Sequence, residues 1–500
     1  MARKPLKICL ATSEMTPLAK TGGLADVAAA LTSFFDAQGH DVRTLMPFHS
    51  AIDTSKLDVT PVHFLQNRSL QIGQHHYRYS IDTATLPGSR AKIYLLRCPE
   101  LYQRPGVYTG GPDEHLRFIA LSRAAIEMCQ HMGFAPDIFH CHDWHTALVP
   151  LYLKTRYAWD RLFARTRSVM TIHNIAYQGV FGAGILHDIG LQDYRDKLHQ
   201  EDLHHDRINF LKTGVLYADQ LTTVSPTYAH EILTSEYGMG LQDLLRERHG
   251  SLVGILNGVD YDEWNPRNDP LIPHRYDARR TAGKKATKLA LVQELGLAEQ
   301  ADLPLLGMVT RLTGQKGLDL VQQVVPDMIE HGRFALAVLG SGEARYEQFF
   351  DWLQQKFPDR VCFYRGFNNR LAHWIEAGSD MFLMPSLFEP CGLNQMYSLR
   401  YGTPPIVRRT GGLADSVELF DPASGRGTGI VFNDYDAPAL HWAIDYALRL
   451  FQNKRRWRQL MQTGMAMDYS WKRQGQVYVD LFRQLAGHQA GPDGPARTTA

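Results

Sequence analysis

A seven-residue motif occurs twice in this chain, and each copy stands between a predicted strand and a predicted helix. The first copy, Lys-Thr-Gly-Gly-Leu-Ala-Asp at 20–26, follows the apolar run 8–11. The second, Arg-Thr-Gly-Gly-Leu-Ala-Asp at 409–415, follows 405–407. Paired glycines let a backbone approach a ligand closely, and the N-terminus of the next helix favours an anion such as phosphate. A tight turn without a ligand is the alternative for either copy. The repeat predicts a strand–turn–helix unit near each end of the chain.

The alternation of strands and helices continues through both halves of the chain. Predicted strands lie at 8–11, 42–46, 136–140, 168–172, 221–224, 255–257, 305–309, 334–339, 361–364, 381–384 and 405–407. Helical patterns separate them, which is typical of parallel sheets with crossover helices. The region 57–96 alternates more and contains turn residues, so we expect a meander or hairpin insertion there. The predicted fold class is α/β, with two doubly wound Rossmann-like domains.

The length of 500 residues exceeds what one hydrophobic core supports. We predict an N-terminal Rossmann-like domain at 1–255 and a C-terminal one at 256–470. An amphipathic helix at 471–486 is expected to return to the N-terminal domain, and the Gly- and Pro-containing tail at 487–500 to be disordered. The polar segment 260–288 is the expected link between the domains.

The charge balance argues against two classes of partner. Lys plus Arg number 53 and Asp plus Glu number 52, so neither a nucleic-acid binder nor a membrane-surface binder is indicated. The six cysteines are scattered without a C-x-x-C pair, which favours free thiols in a reducing compartment. No apolar run is long enough to cross a bilayer, and the first residues lack a signal core. We therefore expect a cytoplasmic protein.

Polar clusters follow two predicted strands of the first half. Cys141, His142 and His145 stand after one strand, and His173 stands after the next. A zinc site requires three or four ligands, and no partner pair appears at that spacing, so hydrogen bonding to a polar substrate is favoured over metal binding. For His173, a place among the core residues is the alternative to a ligand-facing role. Ligands of open α/β sheets bind at such strand ends.

Two loops of the second half have features of nucleotide sites. The loop after the strand 305–309 contains both Arg311 and Lys316, which suit a diphosphate, although a solvated surface loop is the alternative. The Leu-Gly-Ser-Gly sequence at 339–342 lacks the third glycine of a dinucleotide fingerprint, and no acidic residue follows at the expected distance. It predicts either a turn or a nucleotide contact.

The segment 386–395 is unusual because it places an acidic residue between an apolar strand and a proline. Glu389 there has two interpretations: a charge in the first turn of a helix, or a carboxylate that acts on a ligand. The neighbouring Cys391 is near a helix N-terminus, which can make a thiol acidic and reactive. No His spacing marks Cys391 as a nucleophile, so a packed small residue is the favoured interpretation.

Taken together, these motifs resemble a known family. Lys-Thr-Gly-Gly-Leu, His-Asp-Trp-His, His-Asn-Ile-Ala-Tyr-Gln-Gly, Ile-Leu-Asn-Gly-Val-Asp, Arg-Leu-Thr-Gly-Gln-Lys-Gly, Phe-Glu-Pro-Cys-Gly-Leu and Arg-Arg-Thr-Gly-Gly-Leu-Ala-Asp follow one another in this order. The same order is seen in bacterial glycogen synthases and plant starch synthases, and the resemblance covers about 7–471. It implies a GT-B fold whose two domains face a central cleft. It also implies retaining transfer of glucose from ADP-glucose to the non-reducing end of an α-1,4-glucan.

The resemblance implies roles for particular residues. Five are implied to be catalytic: Glu389, His173, Lys20, Arg311 and Lys316. Twelve are implied to bind substrate: Gly22, Gly23, Asp26, Asp143, Asn257, Phe367, Cys391, Gly392, Leu393, Thr410, Gly411 and Gly412. Lys20, Arg311 and Lys316 are implied to contact the donor diphosphate. Phe367 is implied to stack on the nucleobase. Position 397 departs from a wider pattern of retaining transferases, because it is Tyr where a second Glu is common. Neither a cofactor nor a metal is implied, and ADP-glucose and UDP-glucose both stay open as donors on physical grounds.

Three other classes of protein compete with this interpretation. A phosphorylase with the same fold is disfavoured because no pyridoxal-phosphate lysine motif is recognisable. A glucan-binding protein without activity is disfavoured because the cations and Glu389 are all present. A dehydrogenase is disfavoured by the incomplete glycine fingerprint.

Overall fold

The computed structural model describes residues 4–298 and 302–487, which divide into two α/β units. Unit 1 contains the described residues up to Val224, the segment Ala229–Ile255 and the described residues from Trp471 onward. Unit 2 contains Ser225–Tyr228 and Leu256–Ser470. The predicted disordered tail lies outside the described residues, apart from Gly487.

Unit 1 is built on a mainly parallel sheet. Its strands are β1 (Lys7–Ala11), β2 (Asp41–Pro47), β3 (Thr60–Pro61), β4 (Arg68–Ile72), β5 (His75–Thr85), β6 (Lys92–Arg97), β7 (Ile138–His142), β8 (Arg167–Ile172), β9 (Val180–Gly182), β10 (Arg207–Asn209), β11 (Gln220–Thr223) and β12 (Leu252–Gly254). Seven strands are parallel, in the order β12-β11-β8-β7-β1-β2-β6, while β9 and β10 form a separate pair. The strands β3, β4 and β5 add antiparallel pairings at one edge, which confirms the predicted insertion of meander or hairpin type.

Nine α-helices precede the C-terminal helix in the described part of unit 1. They are α1 (Gly23–Ala37), α2 (Pro99–Tyr102), α3 (Glu114–His131), α4 (Val149–Lys154), α5 (Leu186–Ile189), α6 (Gln200–His204), α7 (Phe210–Tyr217), α8 (Pro226–Glu231), whose first residues belong to unit 2, and α9 (Gln242–Glu247). In α1, the buried residues Leu24, Val27, Leu31 and Phe35 recur at helical spacing, so one stripe faces the core. The predicted C-terminal helix is present at Trp471–Leu485, and it packs against α1.

Unit 2 contains a sheet of six parallel strands. They are β13 (Leu305–Val309), β14 (Ala335–Gly340), β15 (Val361–Arg365), β16 (Met381–Met384), β17 (Pro405–Arg408) and β18 (Ile430–Phe432). Its helices are α10 (Ala282–Glu294), α11 (Leu318–Glu330), α12 (Ala344–Lys356), α13 (Asn369–Gly378), α14 (Asn394–Arg400), α15 (Gly411–Ser416), α16 (Ala437–Gln452) and α17 (Lys454–Met465), and the C-terminal helix of unit 1 is α18. Together with unit 1, this sheet confirms the predicted α/β class with two Rossmann-like sheets.

Both sheets have a strand order that reverses at one point. In unit 2 the order is β15-β14-β13-β16-β17-β18, so consecutive strands run outward from β13 on one side and from β16 on the other. In unit 1 the corresponding reversal lies between β1 and β7. Ligands of doubly wound sheets bind beyond the carboxyl ends of the strands at such a switch point. The loops after β1, β7, β13 and β16 are therefore the places where the fold favours a ligand.

Two predictions about the middle of the chain are wrong. The predicted strand 255–257 lies just beyond β12, because the chain makes one more backbone hydrogen bond, from Ile255 to Thr223, and then enters unit 2. The polar segment 260–288 is part of unit 2 rather than a link between units. Although many of its polar side chains are exposed, Asp269 is fully buried with partners: it accepts a hydrogen bond from Tyr401 and pairs with His373. Composition therefore misled the prediction, because paired polar groups can be buried.

Candidate active site

The loop after β1 is held by a buried carboxylate. Glu14 accepts hydrogen bonds from the backbone N–H and the hydroxyl of Thr21, at 2.5 and 2.6 Å. Burial raises the pKa of Glu14 from 4.5 to about 7, and its hydrogen bonds to Thr21 oppose that rise. In the same loop, Asp26 accepts from Lys20 Nζ and from Thr16 Oγ1, each at 2.8 Å. The loop therefore presents Lys20, whose side chain is 47% exposed, from a fixed backbone.

The two copies of the glycine motif differ in why they need glycine. Gly22 has an extended backbone, φ −155°, and a Cβ there would come no closer than 3.9 Å to a described atom. In the second copy, a Cβ on Gly411 would lie 2.0 Å from the carbonyl oxygen of Glu389, and one on Gly412 would lie 2.1 Å from that of Cys391. The second pair is thus required by packing, whereas the packing of unit 1 does not require glycine at position 22.

The loop after β7 begins with a strained residue. Asp143 has φ 52°, a conformation that non-glycine residues rarely adopt and that clusters at functional sites. Its Oδ1 accepts a hydrogen bond of 2.7 Å from the backbone N–H of His173, which stands at the end of β8. Burial raises the pKa of Asp143 from 3.8 to about 7. The Asp143 side chain thus links the C-terminal end of β7 to that of β8.

His173 and His142 form a buried pair at these strand ends. His142 Nδ1 and His173 Nε2 are 2.9 Å apart, and burial lowers the pKa of His173 to about 3. The pKa of His142 is also lowered by burial, with His140 and His173 adding to the effect. Both imidazoles are therefore neutral near pH 7. The structure places His173 at the strand end, as the sequence predicts, but its Nε2 is engaged by another histidine.

Metal binding by this cluster gains no support from the geometry. No group of three or more His, Cys, Asp or Glu residues within 4–298 and 302–487 is arranged to hold a metal ion. Cys141 and His142 are fully buried, and His145 stacks on Tyr108 with ring centroids 4.8 Å apart.

The loop after β13 is positioned by the loop after β14. Leu312 donates its N–H to Ser341 O at 2.8 Å and accepts from Glu343 N–H at 2.7 Å. A Cβ on Gly340 would lie 2.0 Å from Thr310 O, and one on Gly342 would lie 2.3 Å from Leu312 O. Backbone contact therefore explains both glycines of the 339–342 sequence, in agreement with the turn interpretation.

An ion pair joins the loop after β13 to the loop after β16. Lys316 Nζ lies 2.6 Å from Glu389 Oε2, and the two side chains are 16% and 7% exposed. Ser386 Oγ donates to the same carboxylate oxygen at 3.0 Å. Gly317, which follows Lys316, has φ 69°, and a Cβ there would lie 1.9 Å from Pro385 O. Lys316 and Glu389 are thus brought together at the switch point of unit 2, while Arg311 of the same loop is exposed.

The turn after Glu389 is fixed by backbone contacts and by one amide side chain. Gly412 N–H donates to the carbonyl oxygens of Glu389 and Pro390, at 3.1 and 3.2 Å. Gln395 Nε2 donates to the carbonyl oxygens of Cys391 and Gly392, each at 3.0 Å. Glu389 is therefore held on a rigid turn, as catalytic positioning requires.

Cys391 and Asn257 lie together in this part of unit 2. The Asn257 backbone N–H donates to the Cys391 thiol, and Asn257 Oδ1 is buried without a partner among the described residues. Burial raises the pKa of Cys391 above its ordinary value. The buried thiol favours the packed-residue interpretation of Cys391 over the reactive-thiol one.

The remaining predicted residues differ in exposure. Phe367, after β15, is 78% exposed, which leaves its ring face open to a ligand. Thr410 is buried, and Leu393 is partly buried before α14. Tyr397, which stands where a second carboxylate is common, stacks on Trp264 with ring centroids 4.0 Å apart and the planes parallel. Position 397 is therefore filled by a packed aromatic pair.

Sequence reasoning missed three residues that hold candidate loops, namely Glu14 in unit 1 and Ser386 and Gln395 in unit 2. Each acts through a loop contact that spacing does not reveal. One signal was available for Glu14, because it stands three residues beyond a buried strand and close to a glycine turn, and a buried carboxylate there needs hydrogen-bond partners.

Comparisons with known proteins agree with the geometry. A family model described as the starch synthase catalytic domain matches 7–247, and one described as glycosyl transferases group 1 matches 296–461. A glycogen synthase of Anaeromyxobacter sp. (strain Fw109-5) is 44% identical over 486 residues, which are 96% of this chain and 100% of that protein. A glycogen synthase of Desulforudis audaxviator is 42% identical over 495 residues, 97% of each chain.

A solved structure is similar as well. The catalytic domain of starch synthase IV from Arabidopsis thaliana, bound to ADP and acarbose, matches with a TM-score of 0.90 and 33% identity. The match covers 97% of this chain and 100% of that one. These matches define the class of the protein, which is a glycosyltransferase with the GT-B fold.

Within that class, the chain belongs to the family of bacterial glycogen synthases and plant starch synthases. The resemblance seen in the sequence is thereby confirmed. Among the described residues, no helix combines the length and apolar character that crossing a bilayer requires.

Proposed function

We propose that the protein transfers glucose from ADP-glucose to the non-reducing end of an α-1,4-glucan, with retention of configuration at the anomeric carbon. The observation that carries this proposal is the Lys316–Glu389 pair of 2.6 Å at the switch point of unit 2. It puts one cation and one carboxylate on two neighbouring loops, and exposed Arg311 adds a second cation. Family membership supports the proposal, because the relatives are described as glycogen synthases along nearly their full length.

The cations suit the leaving group of such a reaction. When the bond between the anomeric carbon and the phosphate oxygen breaks, negative charge grows on the diphosphate. Arg311 and Lys316 would stabilise that charge most in the transition state, and we assign Lys20 the same role. One preorganised donor of this kind is worth about 2.7–4 kcal/mol, by analogy with oxyanion-hole groups.

The carboxylate suits the sugar. The anomeric carbon gains positive charge in the transition state, and Glu389 is assigned to oppose that charge or to position the glucose. Retaining glycosidases use two carboxylates about 5 Å apart, and only one such group is assigned to the donor here. We therefore favour attack on the same face. The acceptor hydroxyl oxygen bonds to the anomeric carbon, its proton moves to the leaving phosphate oxygen, and ADP departs.

The other assignments follow the loops at the strand ends. Asp143, His173 and Asn257 are assigned to the glucose, and Phe367 to the adenine ring, for which its 78% exposure leaves room. Gly22 is assigned to close approach of backbone to ligand, because packing does not require a glycine there. We also propose a cytoplasmic location, since all six cysteines are free thiols, as a reducing compartment favours.

One incubation tests the proposal. The purified protein is mixed with glycogen and either ADP-glucose or UDP-glucose labelled in the glucose, and label in the polymer is measured. We expect incorporation, faster from ADP-glucose, and release of the label as maltose by an exo-acting α-1,4-specific amylase. Faster incorporation from UDP-glucose would overturn the donor assignment. Phosphate-dependent release of glucose 1-phosphate would indicate a phosphorylase, and glucan binding without turnover an inactive glucan-binding protein.

A further inference from the structure

His142 has no assigned role, although it is buried directly behind His173. The two residues stand at the ends of the neighbouring parallel strands β7 and β8. The His142 backbone is fixed by Thr146, whose Oγ1 accepts from the His142 N–H at 2.7 Å and donates to the His142 carbonyl oxygen at 3.0 Å. The ring of His142 is therefore held in place, and its Nδ1 lies 2.9 Å from His173 Nε2.

The pair shares a single proton across this contact. Burial lowers the pKa of both residues, so each imidazole is neutral and has one N–H. At 2.9 Å, two N–H groups would clash and two lone pairs would repel each other. One nitrogen must therefore donate to the other. Either His142 Nδ1–H donates to His173 Nε2, or His173 Nε2–H donates to His142 Nδ1.

The buried surroundings of His142 decide between these arrangements. If His173 donated, the proton of His142 would be on its Nε2, which is buried without a hydrogen-bond partner among the described residues. An orphaned buried N–H is rarer and more costly than an under-used acceptor. The favoured arrangement therefore has His142 Nδ1–H donating to His173 Nε2.

We propose that His142 is a positioning residue that fixes the tautomer of His173, so that His173 presents its Nδ1–H to a hydroxyl group of the transferred glucose. The proposal deepens the proposed function and rests on it. His173 makes no other side-chain hydrogen bond to the described residues, so Nδ1 is the ring nitrogen left for a ligand. A sugar hydroxyl can both donate and accept a hydrogen bond. If the tautomer of His173 is fixed with the proton on Nδ1, the hydroxyl must accept.

The tautomer itself provides the first test. In protein with 15N-labelled histidine and no substrate, two-bond proton–nitrogen correlations distinguish the two neutral tautomers. The signal of His173 is identified by its loss in His173→Asn. We expect the Nδ1–H form in the wild type and a mixture of both forms in His142→Phe, which keeps the ring shape but cannot donate. The Nε2–H form in the wild type, or an unchanged tautomer in His142→Phe, would overturn the proposal.

Kinetics provide the second test. His142→Phe is expected to lower kcat by about ten- to a hundredfold, by analogy with residues that orient metal-bound histidines, and to change KM for the donor little. His142→Asn, whose Nδ2 can donate to His173, is expected to recover most of kcat. Equal losses in both variants would contradict the proposal.

A matched control is available in the same cluster. His140 is also fully buried, with its ring centroid 4.1 Å from that of His142, but its Nε2 bonds to Thr171 Oγ1 instead of His173. His140→Phe is expected to leave the tautomer of His173 unchanged, and a shift there would count against the proposal. The tautomer of His173 is measured in the absence of a nucleotide sugar, whereas the proposed function is tested by glucose incorporation in the wild type. Failure of the tautomer proposal and failure of the proposed function are therefore distinguishable.

Discussion

Lys316 Nζ and Glu389 Oε2 are 2.6 Å apart, although the two residues lie 73 positions apart in the chain. The pair joins the loops after β13 and β16, the two strands at which the sheet of unit 2 reverses its order. Lys316 and Glu389 partly neutralise each other's charge. A diphosphate bound at this place would compete with Glu389 for Lys316. The pair therefore links the position of the carboxylate to the cation that we assign to the leaving group.

Glu389→Gln is expected to lower turnover by roughly a hundredfold or more and to change donor affinity little, because the charge acts mainly in the transition state. The free energy of unfolding should also fall, by about 1–3 kcal/mol, because Lys316 loses the partner of a largely buried pair. Turnover, donor affinity and thermal unfolding are measured on the purified variant. Near wild-type turnover would remove Glu389 from the catalytic residues.

Glu330→Gln is the matched control for this change. Glu330 pairs with Lys356 at 3.0 Å, but the two side chains are 59% and 40% exposed. Loss of an exposed pair should change the free energy of unfolding by less than about 1 kcal/mol, and turnover should be unaffected. A loss of activity in this variant would mean that removal of any carboxylate from unit 2 is harmful.

Lys20→Ala and Arg311→Ala are each expected to lower turnover by roughly a hundredfold, because each removes a cation assigned to the diphosphate. Both residues are exposed, so thermal unfolding should change little. Arg345→Ala is the control, since Arg345 is an exposed arginine, 64% accessible, close to the same loop as Arg311. Near-normal turnover in either test variant refutes the assignment of that residue.

Gly22→Ala and Gly412→Ala should fail in different ways, although each glycine belongs to the Gly-Gly pair of one copy of the repeated motif. A Cβ on Gly412 would overlap Cys391 O, so this variant should lose about 1–3 kcal/mol of unfolding free energy or more. A Cβ on Gly22 finds space, so that variant should stay folded and lose activity through closer contact with the donor. Thermal unfolding and turnover of both variants are compared. An active, stable Gly22→Ala would show that this glycine is not needed for a ligand.

Exhaustive treatment with EDTA should leave turnover unchanged. The reason is that Arg311, Lys316 and Lys20 can take the charge-neutralising role that a divalent ion has in other phosphate sites. Activity is measured before and after chelation, with added Mg²⁺ or Zn²⁺ as the restoring control. A loss of activity that a divalent ion reverses would contradict this expectation. It would make Cys141, His142 and His145 candidate metal ligands.

Glu14 should make stability depend on pH. Its pKa is raised by burial from 4.5 to about 7, so the folded protein holds this proton more tightly than the unfolded chain does. Through this group, the free energy of unfolding falls as the pH rises from about 4.5 to about 7 and is constant above that range. Glu14→Gln should flatten the decrease, as followed by thermal unfolding at a series of pH values. An equally steep decrease in the variant would show that other groups cause it.

The helix α18 was predicted at 471–486 and is found at Trp471–Leu485, and most strand centres were predicted within a few residues. The reason is that an amphipathic period or a buried apolar run is a local property of the sequence. The errors lie where tertiary context overrides composition, as at 255–257, where the chain changes unit. In 260–288, likewise, Asp269 is buried with His373 and Tyr401, so polarity did not mean a linker.

The sequence by itself determined the fold class, the family and the loops that are candidates for the site, because these depend on spacing along the chain. Only the tertiary structure decided which side chains in those loops meet. Lys316 reaches Glu389 because β13 and β16 are neighbours in the sheet, and His142 reaches His173 because β7 and β8 are. The order of strands in a sheet arises from long-range hydrogen bonding and packing. No local pattern encodes the 2.6 and 2.9 Å contacts that follow from it.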